Sequence, residues 1–118
     1  MALELGMITI DCTNPQELAG FWTAALDVTV AGDYGTFVIL ARPSGGGPAL
    51  AFQQVPEPRT GKNRVHVDFS TADPEAEVRR LVALGAEEQA RHRQPGVAWT
   101  VLADPEGNEF CVAEAGGH

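Results

Sequence analysis

The chain nearly repeats itself: residues 66–84, moved back by 59 positions, fall on residues 7–25. In the first copy Met7-Ile8-Thr9-Ile10-Asp11 reads as a short alternating strand, followed by Asn14-Pro15 and a helical run with Ala19, Trp22 and Ala25 on one stripe. In the second copy His66-Val67-Asp68-Phe69-Ser70 is the strand, followed by Asp73-Pro74 and a run with Val78, Leu81 and Leu84 at the same offsets. A matched strand, cap, proline and apolar stripe in both halves predicts a duplicated supersecondary unit, with a pocket between the copies.

Helix boundaries are written into both copies. Asn14 is an N-cap and Pro15 fits the first helical position, where its missing N–H costs nothing, so a helix is predicted over about 15–26. Asp73 and Pro74 predict a second helix over 74–84, closed by Gly85. Alternation puts Ile8 and Ile10 toward the first helix and Met7, Thr9 and Asp11 on the opposite face. It likewise puts Val65, Val67 and Phe69 on the helix side, and His66, Asp68 and Ser70 opposite. After the first helix, Val28–Val30, Thr36–Leu40 and Ala49–Gln53 read as strands. After the second, Glu87–Arg91 reads weakly, Val97–Leu102 more strongly and Glu109–Glu114 last. Asp104-Pro105-Glu106-Gly107-Asn108 is the hairpin loop between the final two strands. Arg91-His92-Arg93 reads as a solvated basic loop, Pro43–Pro48 as a flexible loop able to act as a lid, and Val55–Lys62 as a linker. Disorder is expected only at the terminal Gly116-Gly117-His118. Each half is thus βαβββ, an α+β architecture.

With 118 residues, 44% of them hydrophobic, the chain suits one domain of two modules, about 5–55 and 63–115. A net charge of −8 argues against nucleic acid or an anionic membrane as partner, because both need a basic footprint. No apolar run approaches the roughly 18 residues of a membrane span, and the basic flank of a secretory signal is missing, so the cytoplasm is expected. In that compartment Cys12 and Cys111 are expected to be reduced thiols. The exposed edges of short open sheets favour a symmetric contact, hence a homodimer.

Two βαβββ units in one short chain resemble the vicinal-oxygen-chelate superfamily, which includes glyoxalase I, bleomycin-resistance proteins and extradiol dioxygenases. Three strings carry the resemblance: Asn14-Pro15 leading to Phe21-Trp22, Asn63-Arg64-Val65-His66-Val67-Asp68, and above all Asp104-Pro105-Glu106-Gly107-Asn108-Glu109-Phe110. The last is similar to the loop before the superfamily's final strand. The resemblance implies two modules pairing their sheets into a half-open barrel, with a cleft for a divalent metal or an organic molecule. It also implies metal ligands from the first and last strands of each module, at Met7, Gln53, His66 and Cys111, the last standing where a glutamate is usual.

A thioether, an amide and a thiol are poor replacements for the imidazoles and carboxylates that hold nickel, iron or manganese, so no metal cofactor is expected. If one is present, it is zinc or copper(I) held by His66 and Cys111. His66 beside Asp68 is the candidate for acid–base catalysis, the carboxylate fixing the imidazole tautomer. Met7, Asp11, Phe37, Gln53, Trp99, Glu109 and Cys111 are the candidate ligand contacts, with Trp99 and Phe37 offering stacking surfaces. Three functions stay open: a small-molecule binder that sequesters its ligand or acts on it through His66, a metal-dependent lyase, isomerase or dioxygenase of the glyoxalase kind, and a structural or partner-binding domain.

Overall fold

Two side-chain caps set the frame on which everything else is hung. The Asn14 Oδ1 accepts from the Glu17 N–H at 3.2 Å, and the Asp73 Oδ1 accepts from the Ala76 N–H at 3.1 Å. Both caps have nearly the same backbone, φ −134° and ψ 88° against φ −136° and ψ 84°, and each is followed by the predicted proline. In the computed structural model, which describes residues 3–58, 60, 61, 63 and 65–114, the elements are β1 (Met7–Cys12), α1 (Pro15–Leu26), β2 (Val30–Asp33), β3 (Phe37–Leu40), β4 (Ala49–Gln54), β5 (Val67–Thr71), α2 (Pro74–Leu84), β6 (Glu87–Gln94), β7 (Val97–Ala103) and β8 (Glu109–Glu114). The fold is α+β, a βαβββ unit made twice. Arg59 and Lys62 of the linker, Arg64, and the terminal Gly116–His118 lie outside the described residues.

The chain divides into two compact units, Met1–Pro58 and Arg59–His118. Each holds one four-stranded sheet, ordered β1-β4-β3-β2 in the first and β5-β8-β7-β6 in the second. The first strand of each unit pairs in parallel with the last, and the other pairs are antiparallel. The parallel pair requires a crossover, and the helix supplies it.

In the first unit α1 buries Leu18, Ala19, Phe21, Trp22 and Ala25, with the rings of Phe21 and Trp22 meeting edge to face at 5.0 Å. Val38, Leu40, Leu50 and Phe52 are buried in the same unit, and full burial of a Leu or Phe side chain is worth roughly 1.5–3 kcal/mol. In the second unit α2 buries only Val78 and Leu81. Phe69 and Phe110 meet edge to face at 5.9 Å. Leu84, read as the end of the α2 stripe, is instead exposed, because the helix ends there and Gly85 turns the chain away at φ 124°. Val65, read as helix-facing, precedes β5 and is 77% exposed.

Several strand boundaries depart from the sequence reading, most by a single residue; three of them matter most. β2 begins where Val28–Val30 was expected to end, since Asp27 caps α1 in the left-handed region (φ 55°) and the chain needs residues 28 and 29 to turn. β5 starts at Val67, leaving His66 at its threshold. Arg91-His92-Arg93 is not a loop: it lies within β6, which runs eight residues and pairs with β7 from Glu87↔Ala103 to Gln94↔Val97. Arg91 bridges Glu75 of α2 and Glu88 of its own strand, while the His92 ring stacks on Trp99 at 5.1 Å.

Candidate functional site

Sheet register decides which candidate residues share a face, because paired residues project to the same side. In the first unit Gln53 pairs with both Asp11 and Phe37, so these three form one row across the sheet. Met7 pairs with Ala49, four residues back along β1 and so about 13 Å from Asp11. The structure therefore brings Asp11, Gln53 and Phe37 together and leaves Met7 at the other end of the same face. That face lies opposite the one carrying the buried Leu50 and Phe52.

In the second unit Asp68 pairs with Cys111, Cys111 with Val101, Ala113 with Trp99, and Glu109 with Ala103. Asp68, Trp99, Glu109 and Cys111 thus share the face opposite α2, whose contacts are with the Phe110 and Val112 side. His66, one step before β5, joins them. A nitrogen of His66, a carboxylate oxygen of Asp68 and the Sγ of Cys111 all lie within 4.8 Å of one another. His66 and Asp68 are exposed and Cys111 is buried, so the group is an open imidazole and carboxylate, close but not hydrogen-bonded to each other, above a covered thiol. Cys12 and Cys111 are both buried thiols, one in each unit.

The beginning of β8 is held by contacts that sequence reading did not single out. The Asn63 Oδ1 accepts from the Glu109 N–H at 2.8 Å, tying the segment before His66 to the strand that carries Cys111. Upstream, the buried Asp104 carboxylate accepts from the Glu106 and Asn108 N–H groups at 3.0 and 2.9 Å. The Glu109 Oε1 is buried without a hydrogen-bond partner among the described residues, an acceptor that calls for a donor. Asn63 sits in the quoted Asn63–Asp68 string, but only the folded register reveals its partner.

Comparing the two registers gives each residue its counterpart in the other unit. Ile8↔Leu50 corresponds to Val67↔Phe110, so Met7 matches His66, Thr9 matches Asp68 and Ala51 matches Cys111. Gln53, taken as the first module's second ligand position, instead matches Ala113. Phe37 and Trp99, each paired with those last two residues, are counterparts as well. The aromatic position is thus duplicated and the His66–Asp68–Cys111 cluster is not, since the first unit offers only a thioether, a hydroxyl and a methyl at the matching places. A four-ligand metal centre drawing on both modules does not fit these residues. The donors of the second unit alone, N, O and S, fit a three-ligand zinc site.

Two repeats of βαβββ, each with its first and last strands in parallel and a polar group at the start of the second, define a protein of the vicinal-oxygen-chelate type. The chain belongs to the glyoxalase-like domain family, whose model matches residues 7–113. No match is found among curated protein sequences. Among solved structures, a glyoxalase/bleomycin resistance protein/dioxygenase family enzyme from Burkholderia phytofirmans PsJN is 18% identical, with a TM-score of 0.76 over 95% of this chain and 98% of that one. A glyoxalase-related enzyme from Fulvimarina pelagi is 16% identical, with a TM-score of 0.74 over 96% and 88%. A lactoylglutathione lyase from Agrobacterium tumefaciens is 19% identical, with a TM-score of 0.67 over 95% and 93%. At these identities the likeness is one of fold.

Proposed function

We propose that this glyoxalase-like protein binds a small organic molecule on the face of the second sheet opposite α2 and acts on it by acid–base chemistry at His66. One observation supports this most directly: the His66, Asp68 and Cys111 donor atoms converge within 4.8 Å, while their first-unit counterparts Met7, Thr9 and Ala51 carry no acid or base. In this scheme Asp68, near His66 but not hydrogen-bonded to it in this structure, closes on one ring nitrogen when a ligand binds and fixes the tautomer, leaving the other nitrogen to take a proton from the ligand. Trp99 supplies a stacking wall, and the buried Glu109 oxygen accepts from a ligand donor or a bridging water. Met7, Asp11, Phe37 and Gln53 remain the first unit's candidate contacts. The protein works without an oxygen-rich metal centre. His66→Ala tests this. Loss of about 10²–10⁴ in turnover of a co-purified or screened ligand is expected, whereas unchanged turnover overturns the proposal and retained affinity without turnover in the parent chain reduces it to sequestration.

The thiol in the group favours a second reading, a zinc ion held by His66, Asp68 and Cys111. Zinc there would supply Lewis-acid polarisation of a ligand oxygen. Elemental analysis of protein purified without chelator separates the two: near-stoichiometric zinc that disappears in Cys111→Ser selects the metal, and zinc below a tenth of an equivalent selects the metal-free pair.

A further inference from the structure

The second unit carries a groove on the other side of its sheet, away from His66. It encloses about 1000 Å³ between the first turn of α2, at Pro74 and Glu75, and the far end of the β6–β7 hairpin. Two rows of paired residues make its floor. One is Arg91, Thr100 and Val112. The other is Arg93 and Ala98, continued by Glu114, which lies one residue beyond the Trp99↔Ala113 pair. Arg91, Thr100, Val112, Arg93, Ala98 and Glu114 all line the groove.

The polar groups of this floor are unevenly committed. Arg91 is held by Glu75 and Glu88. Arg93 and Glu114 have no ion pair or hydrogen bond through their side chains among the described residues, although they flank the same small residue, Ala98. Two strand spacings of about 4.8 Å separate them, so a cationic and an anionic side chain rise some 10 Å apart at their bases with only a methyl between. Thr100, 6% exposed, has no side-chain hydrogen bond among the described residues. Its hydroxyl is open to the groove, where a ligand can hydrogen-bond to it.

We infer that this groove binds a small zwitterion, its carboxylate on Arg93, its ammonium on Glu114, and its apolar chain over Ala98 beside the Thr100 hydroxyl. A simple anion would meet Glu114 and a simple cation would meet Arg93, so either loses on one side what it gains on the other. A molecule with both charges satisfies both. Its floor residues lie on the face of the sheet opposite His66, although Trp99 lines the groove as well.

The probe is 6-aminohexanoate, with hexanoate and hexylammonium as single-charge controls, followed by amide chemical shifts of the labelled full chain. Shifts at Arg93, Ala98 and Thr100 saturating with a Kd on the order of millimolar are expected for so small a ligand, with both controls weaker. Arg93→Gln and Glu114→Gln should each weaken binding about two- to fivefold, the worth of an exposed charge pair, and Ala98→Leu should block it by filling the gap. All three positions are exposed, so folding is retained and is checked by circular dichroism. Equal binding of hexanoate or hexylammonium, no response of the groove amides, or binding indifferent to both charge-removing variants overturns the inference.

Discussion

Replacing Asp104 by alanine removes the acceptor around which the last loop is built. Its Oδ1 accepts from the Glu106 N–H at 3.0 Å and the Asn108 N–H at 2.9 Å, and both carboxylate oxygens accept from the Asn108 Nδ2, at 3.2 and 3.1 Å. The residue is 4% exposed. Backbone hydrogen bonds to a charged acceptor are worth about 1.5–3 kcal/mol each, and with partial rehydration of the freed N–H groups the two together come to about 2–4 kcal/mol. For a chain of this size that is a fall of roughly 8–16 °C in Tm. Asp104→Asn keeps one acceptor oxygen but sets an amide NH₂ against that of Asn108, so about half the loss is expected. Asp33 provides the control, since it makes similar contacts to the Gly35 N–H and to Gln16 in an exposed turn. Asp33→Ala should leave the midpoint nearly unchanged. Urea unfolding followed by tryptophan fluorescence measures all three. If Asp104→Ala lowers the midpoint no more than Asp33→Ala, the buried carboxylate does not hold the loop, and the placement of Glu109 and Cys111 must have another cause.

Leu18→Ala, at a fully buried position on α1, should cost about 2–5 kcal/mol, read as a lowered urea midpoint. Glu77 and Glu88 are held below the usual glutamate value of 4.5, chiefly by hydrogen bonds from Arg80 and Arg91. A depressed folded value means stability that is present above pH 4.5 and lost as pH falls through the lowered values, so Glu77→Gln and Glu88→Gln should each flatten the acid limb of the urea midpoint slightly. His92→Ala removes the ring stacked on Trp99 and should change the indole emission while leaving the overall circular dichroism intact. Each sheet has two edge strands, which keeps the homodimer expected from sequence as our proposal; a single-chain mass by light scattering at micromolar concentration would refute it.

The local devices of this fold were legible in the chain because they act over a few residues. Asn14-Pro15 and Asp73-Pro74 specify helix starts by capping and proline geometry alone, and the alternation of Ile8 and Ile10 against Thr9 and Asp11 specifies which face each takes. The repeat and the Asp104–Phe110 string carried the family. Tertiary structure decided what depends on partners distant in sequence. Glu87–Gln94 has almost no apolar alternation to announce a strand; it is one because β7 lies alongside to take its hydrogen bonds. Ala51 rather than Gln53 stands opposite Cys111 in the repeat because the parallel β1–β4 and β5–β8 registers say so, and a register joins residues some 40 positions apart that no local pattern links. The convergence of His66, Asp68 and Cys111 has the same origin: alternation put each on a face, and only the pairing of β5 with β8 put them side by side.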